Sequence, residues 1–246
     1  MIEGKLVRLR ALRAEDLDHH VRWRNDPEVV HWATGGDPLF GPVSREAVAG
    51  FHEARLRDNP RSETTFTVEE LADGRAIGMA DYRDLDPFTG QATVGITIGE
   101  RDRWGGGYGS EALELLVGHL FGACRLRRVE LETWSGNERA MRAFRRIGFI
   151  EEGRRRAAVR VGEAWYDSVL FGILHEEWTE RRATDGVRAC PADHGGVAGA
   201  WHALPQRGAG PRPRTPVLSA RPAPAARSAS DAAAPPAPAA DRRRTP

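Results

Sequence analysis

The chain has 246 residues, with 36 basic and 35 acidic side chains and two cysteines, Cys124 and Cys190. This near-neutral balance is not typical of a nucleic-acid-binding protein, and two cysteines without paired spacing exclude a disulfide framework and a cysteine-rich zinc site. Nothing at the start resembles a signal peptide, and no apolar run approaches the ~20 residues of a membrane-spanning helix. We therefore expect a cytoplasmic protein that binds neither nucleic acid nor membrane and holds no metal.

The C-terminal quarter differs in composition from the rest of the chain. Eleven of the 16 prolines lie from Pro191 onward, and residues 208–246 are nearly all Ala, Pro, Arg, Gly and Ser. Such a segment has too few apolar side chains to offset the entropy that ordering it costs. We predict one folded domain at 1–182 and a disordered tail at 183–246, whose role the sequence leaves open.

The first half of the domain reads as short strands and two helices. Hydrophobic periodicity predicts, in chain order, a strand at 5–10, helices at 14–24 and 44–57, and strands at 64–70, 76–83 and 92–98. Ser44 is placed to cap the second helix, and Asp73-Gly74 is typical of a tight turn between two strands.

The second half alternates helices with strands. The pattern predicts a helix at 110–122, a strand at 128–134, a short helix opened by Asn137, and a closing hairpin of strands at 149–158 and 165–174. Leu113, Leu116 and Leu120 recur at helical spacing, and Gly148 is placed to cap the short helix at its C-terminus. The complete order indicates a layered α/β or α+β fold.

A glycine-rich loop, Trp104-Gly-Gly-Gly-Tyr-Gly109, lies between the strand that ends at Ile98 and the helix predicted to begin at Ser110. Glycines allow a backbone to turn tightly and to approach a ligand closely. The first turn of a helix presents free N–H groups, and the helix dipole adds partial positive charge there. This combination is typical of a pyrophosphate-binding site.

Three ligand classes use such a loop. A nucleoside-triphosphate loop needs Lys and then Ser or Thr after its last glycine, but Ser110 and Glu111 follow here. A dinucleotide loop follows the first strand of a βαβ unit, whereas this loop follows several strands. Coenzyme A is the third class, and a glycine-rich turn without any ligand is the remaining alternative.

The loop resembles the acetyl-CoA motif of the Gcn5-related N-acetyltransferase (GNAT) superfamily, whose core pattern is Gln/Arg-x-x-Gly-x-Gly/Ala. Gly107 and Gly109 match this pattern, while Trp104 replaces its first residue and removes one side-chain donor. Residues 3–180 as a whole are similar to the ribosomal-protein N-terminal acetyltransferase-like branch. The segments that carry this similarity are 9–16, 134–140, 147–149, 152–153, 166–167 and 177–178.

The resemblance implies a GNAT fold, an α+β arrangement with a mixed, mostly antiparallel sheet of six to seven strands and about four flanking helices. The sheet is expected to splay at the strand that pairs with acetyl-CoA. The implied activity is transfer of an acetyl group from acetyl-CoA to a primary amine by direct attack in a ternary complex. A protein N-terminal α-amine and a small-molecule amine are both possible acceptors, and the chain is expected to be a monomer or a homodimer.

By the same resemblance, the loop N–H groups hold the pyrophosphate and the preceding strand pairs with the pantetheine arm. The residues implied in acetyl-CoA binding are Ile98, Gly99, Glu100, Arg103, Trp104, Gly105, Gly106, Gly107, Tyr108, Gly109, Ser110, Asn137 and Phe144. Asn137 is either a pantetheine contact or a plain helix cap. Arg101 and Arg103 either meet the 3′-phosphate or are solvated loop charges.

The family pattern is incomplete at the proton-transfer groups. A backbone N–H near Thr97 is expected to stabilise the oxyanion, but the usual base and acid positions hold Thr93 and Phe144. Either another group serves as base, or water relays the proton from an acceptor that is not very basic. The candidates for such a base are Glu132, Glu130, Asp81 and Tyr82.

The pKa of the acceptor amine separates these alternatives. A lysine amine with a pKa near 10.4 is about 0.1% neutral at pH 7.5, whereas an α-amine near 7.7–8.0 is about one-third neutral. A site without a strong base therefore favours an α-amine acceptor. The competing hypothesis is that the chain is a non-catalytic acyl-CoA-binding sensor. The presence of Thr93 and Phe144 at the two proton-transfer positions favours this hypothesis.

Overall fold

The computed structural model describes residues 1–37, 40–58 and 62–184, which form one eight-stranded sheet and six α-helices. The strands are β1 (Ile2–Glu3), β2 (Val7–Ala11), β3 (Thr64–Glu70), β4 (Ala76–Asp86), β5 (Gln91–Ile98), β6 (Arg128–Trp134), β7 (Ile150–Val161) and β8 (Ala164–Leu174). The helices are α1 (Asp16–Asn25), α2 (Pro27–Thr34), α3 (Arg45–Asp58), α4 (Tyr108–Gly122), α5 (Glu138–Ile147) and α6 (His175–Thr184).

The strands lie in the order β1-β2-β3-β4-β5-β6-β8-β7. Every neighbouring pair is antiparallel except β5 and β6, which run parallel. Their pairing covers only Gln91–Thr93 of β5 against Arg128–Glu130 of β6. Beyond Thr93, β5 pairs with β4 alone among the described strands, so the sheet opens at this point. The mixed, mostly antiparallel sheet and its splay were predicted, although more strands and helices are present than expected.

One face of the sheet carries the main hydrophobic core, which is covered by α4, α5 and α6. Ala80 of β4 and Val94 of β5 pack with Leu113, Leu116 and Leu120 of α4, and all five side chains are buried. Burying a leucine side chain contributes roughly 1.5–3 kcal/mol. Because this apolar stripe runs the length of α4, it fixes where the helix begins, at the end of the glycine loop.

Helices α1, α2 and α3 cover the opposite face, where a buried charged network lies beside a small apolar cluster. The Thr67 hydroxyl of β3 donates to Asp16 Oδ2 of α1 at 2.8 Å. Asp16 also accepts hydrogen bonds from both Nη atoms of Arg10, at 2.7 and 2.8 Å, and Arg10 donates to Glu69 as well. A buried charge is tolerated only when it is paired, and each charge here has a partner.

Helix α2 was not predicted from the sequence. Asp26 Oδ1 accepts hydrogen bonds from the N–H groups of Glu28 and Val29, at 2.9 and 3.3 Å, and Pro27 occupies the first helical position. Proline is suited to that position because its missing N–H would have no partner within the helix. The start signal is therefore present, but eight residues are too few for a clear helical period.

The short helix α5 agrees with its prediction at both ends. Asn137 caps its start by accepting a hydrogen bond from the Ala140 N–H, and Gly148 ends it with a left-handed φ of 113°. The predicted tail, 183–246, lies outside the described residues except for its first two, which complete α6. In the described part of the chain, no helix combines the length and the apolar character needed to cross a bilayer.

Candidate functional site

The opening between β5 and β6 forms a cleft of about 690 Å³. Its walls come from α2, β4, β5, β6, the glycine loop and α5. Asp81, Thr97 and Glu132, the three predicted catalytic residues, all line it. The predicted cofactor residues that line it are Ile98, Arg103, Trp104, Gly105, Gly107, Tyr108, Gly109, Ser110, Asn137 and Phe144. Gly99, Glu100 and Gly106 are not part of the lining.

The free edge of β5 determines which backbone groups face the cleft. The Ile98 carbonyl accepts a hydrogen bond from the Trp104 indole N–H at 2.7 Å on the cleft side, whereas the Gly99 N–H donates to Ile77 of β4. Because backbone groups alternate in direction along a strand, Ile96 and Ile98 face the cleft. The backbone groups of Thr97 face β4 instead, so the N–H groups near Thr97 that face the cleft are those of Ile96 and Ile98.

The glycine loop leads directly into an open helix end. Gly105 and Gly107 have left-handed φ values of 82° and 87°, which glycine adopts without steric cost. Helix α4 begins at Tyr108, two residues before the predicted start, and in the described part of the chain no side chain caps it. The N–H groups of its first turn therefore have no partner within the helix and can bind an anion.

Glu100 and Arg101, next to the loop, lie behind it and are not part of the cleft lining. Glu100 is buried, accepts a hydrogen bond from the Trp23 indole at 2.8 Å and pairs with Arg22 and Arg75. Gly99, Glu100 and Arg101 line a separate, smaller pocket of about 290 Å³ on that side. The two sides of the loop thus have different roles, since one holds its shape and the other faces a ligand.

The other two polar side chains of the loop are also held in place. Arg103 Nε donates to Glu70 at 2.8 Å, and the Tyr108 hydroxyl donates to the same carboxylate at 2.7 Å. This hydrogen bond raises the pKa of Tyr108 above its usual value. Arg101 pairs with Glu28 at 2.8 Å. Both arginines are therefore paired with carboxylates of this chain.

Helix α5 supplies a basic wall that the sequence analysis missed. Three arginines of this helix, Arg139, Arg142 and Arg146, line the cleft. The Arg139 guanidinium lies 4.5 Å from the ring centre of Trp104 and 5.3 Å from that of Trp32, and burial lowers its pKa. The spacing of the three arginines, three and then four residues, places them on one face of a helix. This spacing is the feature of the sequence from which the basic face of α5 could have been predicted.

Two predicted cofactor residues on α5 prove to be structural as well. The Asn137 side chain is buried; its amide nitrogen donates to the Trp32 carbonyl at 2.9 Å, and its oxygen accepts the Ala140 N–H. Phe144 is buried against Phe171, with ring centres 5.7 Å apart. Both still form part of the cleft wall.

The four candidate bases differ in whether they line the cleft. Asp81 and Glu132 line the cleft, whereas Glu130 and Tyr82 do not. Tyr82 packs against the main core. Glu130 lies opposite Thr93 in the last paired rung of β5 and β6, with its Oε1 3.5 Å from the Thr93 hydroxyl.

Comparison with known proteins gives consistent matches. Residues 7–150 match the family model described as an acetyltransferase (GNAT) domain. The chain is 32% identical over 108 residues to the "putative ribosomal N-acetyltransferase YdaF" of Bacillus subtilis, across 44% of this chain and 58% of that protein. It is 23% identical over 181 residues to a spermidine N(1)-acetyltransferase of Escherichia coli, across 73% of this chain and 92% of that protein.

A solved structure shares the fold. The spermidine N-acetyltransferase from Vibrio cholerae, in complex with CoA and spermine, superimposes with a TM-score of 0.63. The match covers 72% of this chain and 99% of that one, at 20% sequence identity. At 20% identity, the similarity shows that the two proteins share the arrangement of strands and helices. The ligands of this chain must be inferred from its own residues.

Proposed function

Because the chain belongs to the GNAT acetyltransferase family, we propose that it transfers an acetyl group from acetyl-CoA to a primary amine. One observation carries the proposal: the unpaired edge of β5 runs into the glycine loop and the open end of α4 within one cleft. A free strand edge pairs with an amide-bearing arm, and a helix N-terminus binds a pyrophosphate. Acetyl-CoA carries an amide-bearing arm and a pyrophosphate in succession, with its thioester at the end of the arm.

The cofactor is expected to lie along β5 as an added strand. The backbone groups of Ile96 and Ile98 pair with the pantetheine arm, while the N–H groups of 105–110 hold the pyrophosphate. Arg139 and Arg146 of α5 supply positive charge to the phosphates, which compensates for Trp104 at the first position of the loop. Asn137 and Phe144 form the wall against which the pantetheine arm packs.

The reaction is a direct displacement. The neutral amine attacks the thioester carbonyl carbon, and the carbonyl electron pair moves to oxygen, where the cleft-facing N–H of Ile96 stabilises the negative charge. The C–S bond then breaks, the acetyl group stays on the amine nitrogen, and the CoA thiolate leaves. Phe144 stands where the family usually has a tyrosine acid, so solvent supplies the proton to the thiolate.

We assign the role of general base, which accepts the proton of the amine, to Asp81. Its side chain is 18% exposed, and it lies over the β5 backbone at Gly95, one residue before the proposed oxyanion donor. Glu132 lies on the other wall of the cleft, where it pairs with Arg155 at 3.0 Å. We expect Asp81, directly or through one water, to accept the proton that the amine loses.

A thermal shift with acetyl-CoA, CoA and NAD, followed by thiol release across a panel of amines, tests the proposal. We expect acetyl-CoA and CoA to raise the melting temperature, NAD to leave it unchanged, and at least one amine class to release thiol. Stabilisation without turnover on any amine would instead favour an acyl-CoA-binding sensor. No stabilisation by acetyl-CoA would contradict the assignment of the cleft.

A further inference from the structure

The acceptor side of the cleft carries a pair of opposite charges above the reacting strand. Asp81 and Arg83 project from the same face of β4, and both line the cleft. Arg83 Nη1 lies 3.4 Å from Asp81 Oδ2. A Cβ built on Gly95 would lie 2.6 Å from Asp81 Oδ1 and 3.4 Å from Arg83 Nη1. Both head groups therefore lie over the β5 backbone at Gly95.

Gly95 is required here for space and not for its conformation. Its φ lies outside the left-handed region, so another residue could adopt the same backbone. Any side chain would nevertheless displace the Asp81 carboxylate from the strand. The absence of a side chain at this position thus brings an anion and a cation together next to the proposed oxyanion donor, Ile96.

The rest of the cleft offers no place for a polycation. Among the described residues that line it, only Asp81 and Glu132 are acidic, and each has an arginine partner. The basic residues that line it are Arg83, Arg103, Arg139, Arg142 and Arg146. A polyamine carries several positive charges and needs carboxylates that are not already neutralised. Among its described lining residues, the cleft therefore presents no unpaired carboxylate to such an acceptor.

Apolar side chains also contribute to the lining of the cleft. Met79 precedes Asp81 by two residues on the same face of β4, and Val29, Trp32 and Phe40 line the cleft from α2 and the segment after it. An acceptor that fits this arrangement has one ammonium, one anionic group close to it, and an apolar substituent.

We propose that the acceptor is a zwitterionic amine, namely a small α-amino acid with an apolar side chain. Asp81 binds its ammonium and then takes the proton, while Arg83 binds its carboxylate. The amine nitrogen bonds to the acetyl carbon as the C–S bond breaks, and it then loses its second proton to solvent, which also protonates the CoA thiolate, giving an N-acetylamino acid and CoA. This inference rests on the proposed acetyl transfer and adds the class of acceptor to it.

The test compares amino acids with their amides, which lack the anion, and with a polyamine. Thiol release from acetyl-CoA is measured with L-leucine and L-phenylalanine, with the corresponding amides, and with spermidine. We expect kcat/KM to be at least tenfold higher for each amino acid than for its amide, and turnover of spermidine to be negligible. The amide has the less basic amine, so a preference for the acid cannot arise from easier deprotonation.

The variant Arg83→Met tests whether the Arg83 side chain causes the preference for amino acids over their amides. We expect it to lower kcat/KM for the amino acids at least tenfold, to change kcat/KM for the amides little, and to leave the KM for acetyl-CoA unchanged. Arg142→Met is the matched control, because this arginine lies on α5 and pairs with Glu138; it should preserve the ratio of acid to amide.

The outcomes separate the two proposals. If amides or spermidine are acetylated as well as the amino acids, the acceptor class is wrong while acetyl transfer stands. If none of these acceptors releases thiol but another amine of the wider panel does, the acceptor class is again wrong; only if no amine of either panel releases thiol is acetyl transfer itself contradicted. Should Arg83→Met fail to fold, the comparison of acids with amides on the unaltered protein decides the question alone.

Discussion

The Arg139 guanidinium stacks between two indole rings at the edge of the cleft, and within the described residues no carboxylate is paired with it. A phosphate of the cofactor would be its counter-ion. Hydrogen bonds to charged groups contribute about 1.5–3 kcal/mol. We therefore expect Arg139→Ala to raise the KM for acetyl-CoA about tenfold or more, with little change in kcat, as measured by steady-state thiol release.

The control for this prediction lies on the same helix. Arg142 is exposed and pairs with Glu138 across one helical turn at 3.1 Å. Removing it takes away the same charge from the same element, and we expect Arg142→Ala to change the KM for acetyl-CoA less than Arg139→Ala does. Equal effects of the two substitutions would mean that α5 acts only through its summed charge.

A second prediction at this scale concerns the proton. General base catalysis by a positioned side chain contributes typically about 10²–10⁴-fold, so we expect Asp81→Asn to lower kcat/KM by about 10² or more. The substitution keeps the size of the side chain and removes its capacity to accept the proton. Glu130→Gln serves as the control because Glu130 lies outside the cleft lining. If Asp81→Asn kept the rate of the unaltered protein, solvent or Glu132 would have to accept the amine proton instead.

At the scale of elements, the turn from β5 into α4 depends on glycines for two different reasons. A Cβ on Gly99 would collide with the indole ring of the buried Trp23, whereas a Cβ on Gly105 would meet nothing within 4 Å. Gly105 needs only its left-handed φ of 82°. Overpacking costs typically 1–3 kcal/mol, and a left-handed φ costs an alanine roughly 1–2 kcal/mol.

We therefore expect Gly99→Ala to lower the melting temperature more than Gly105→Ala. For a domain of this size, each 1 kcal/mol shifts Tm by about 2–4 °C. Differential scanning calorimetry on both variants measures the difference. The reverse order would show that Trp23 moves aside easily and that the loop conformation is the costlier constraint.

The same elements show what can be predicted from sequence. β3 was predicted to the residue from its β-branched and aromatic side chains and β6 from its alternating side chains, and Asn137 and Gly148 mark α5 as clearly. The splay has no such local signal. It arises where the pairing of Thr93 with Glu130 stops, a contact between residues 37 positions apart. Only the family resemblance predicted it.

The candidate site divides in the same way. The glycine loop could be predicted because the residues that define it all lie in one short segment of the sequence. The charge pair of Asp81 and Arg83 was only half found, because its meaning depends on Gly95 in the next strand, which no periodicity connects to it. Arginines on α5 showed a helical face, but the packing of α5 against the core decides that this face meets the cleft.

At the scale of the whole molecule, α6 is the last element of the described residues, and it completes the core. Trp178 is 7% exposed, and its ring lies 6.2 Å from that of Phe121 on α4. We propose that residues 1–184 fold on their own. Removing residues 185–246 should leave Tm and the acetyl-CoA shift unchanged, whereas Trp178→Ala should cost about 3–5 kcal/mol. A large fall in Tm after the truncation would contradict the proposed domain boundary.

The response of the whole fold to acid depends on a histidine that must stay neutral. His20 of α1 is buried, with Nδ1 3.1 Å from His52 Nε2 of α3, and burial together with the neighbouring His52 lowers its pKa to about 4. In the unfolded chain its pKa is near 6.5. Between these values the unfolded chain binds the extra proton, so stability falls as the pH falls from about 6.5 to about 4.

The size of this loss of stability follows from the pKa shift of His20. The pH range in which it occurs separates it from the loss due to Asp16. Burial favours the neutral carboxyl, but hydrogen bonds from Arg10, the Arg13 N–H and Thr67 lower the Asp16 pKa to about 2, so its contribution is lost only below about pH 4. For His20 the total is on the order of 3 kcal/mol. Urea unfolding between pH 7 and pH 4 should show this loss, and His20→Leu should flatten the slope whatever its own stability. An unchanged slope in His20→Leu would place the acid sensitivity elsewhere in the fold.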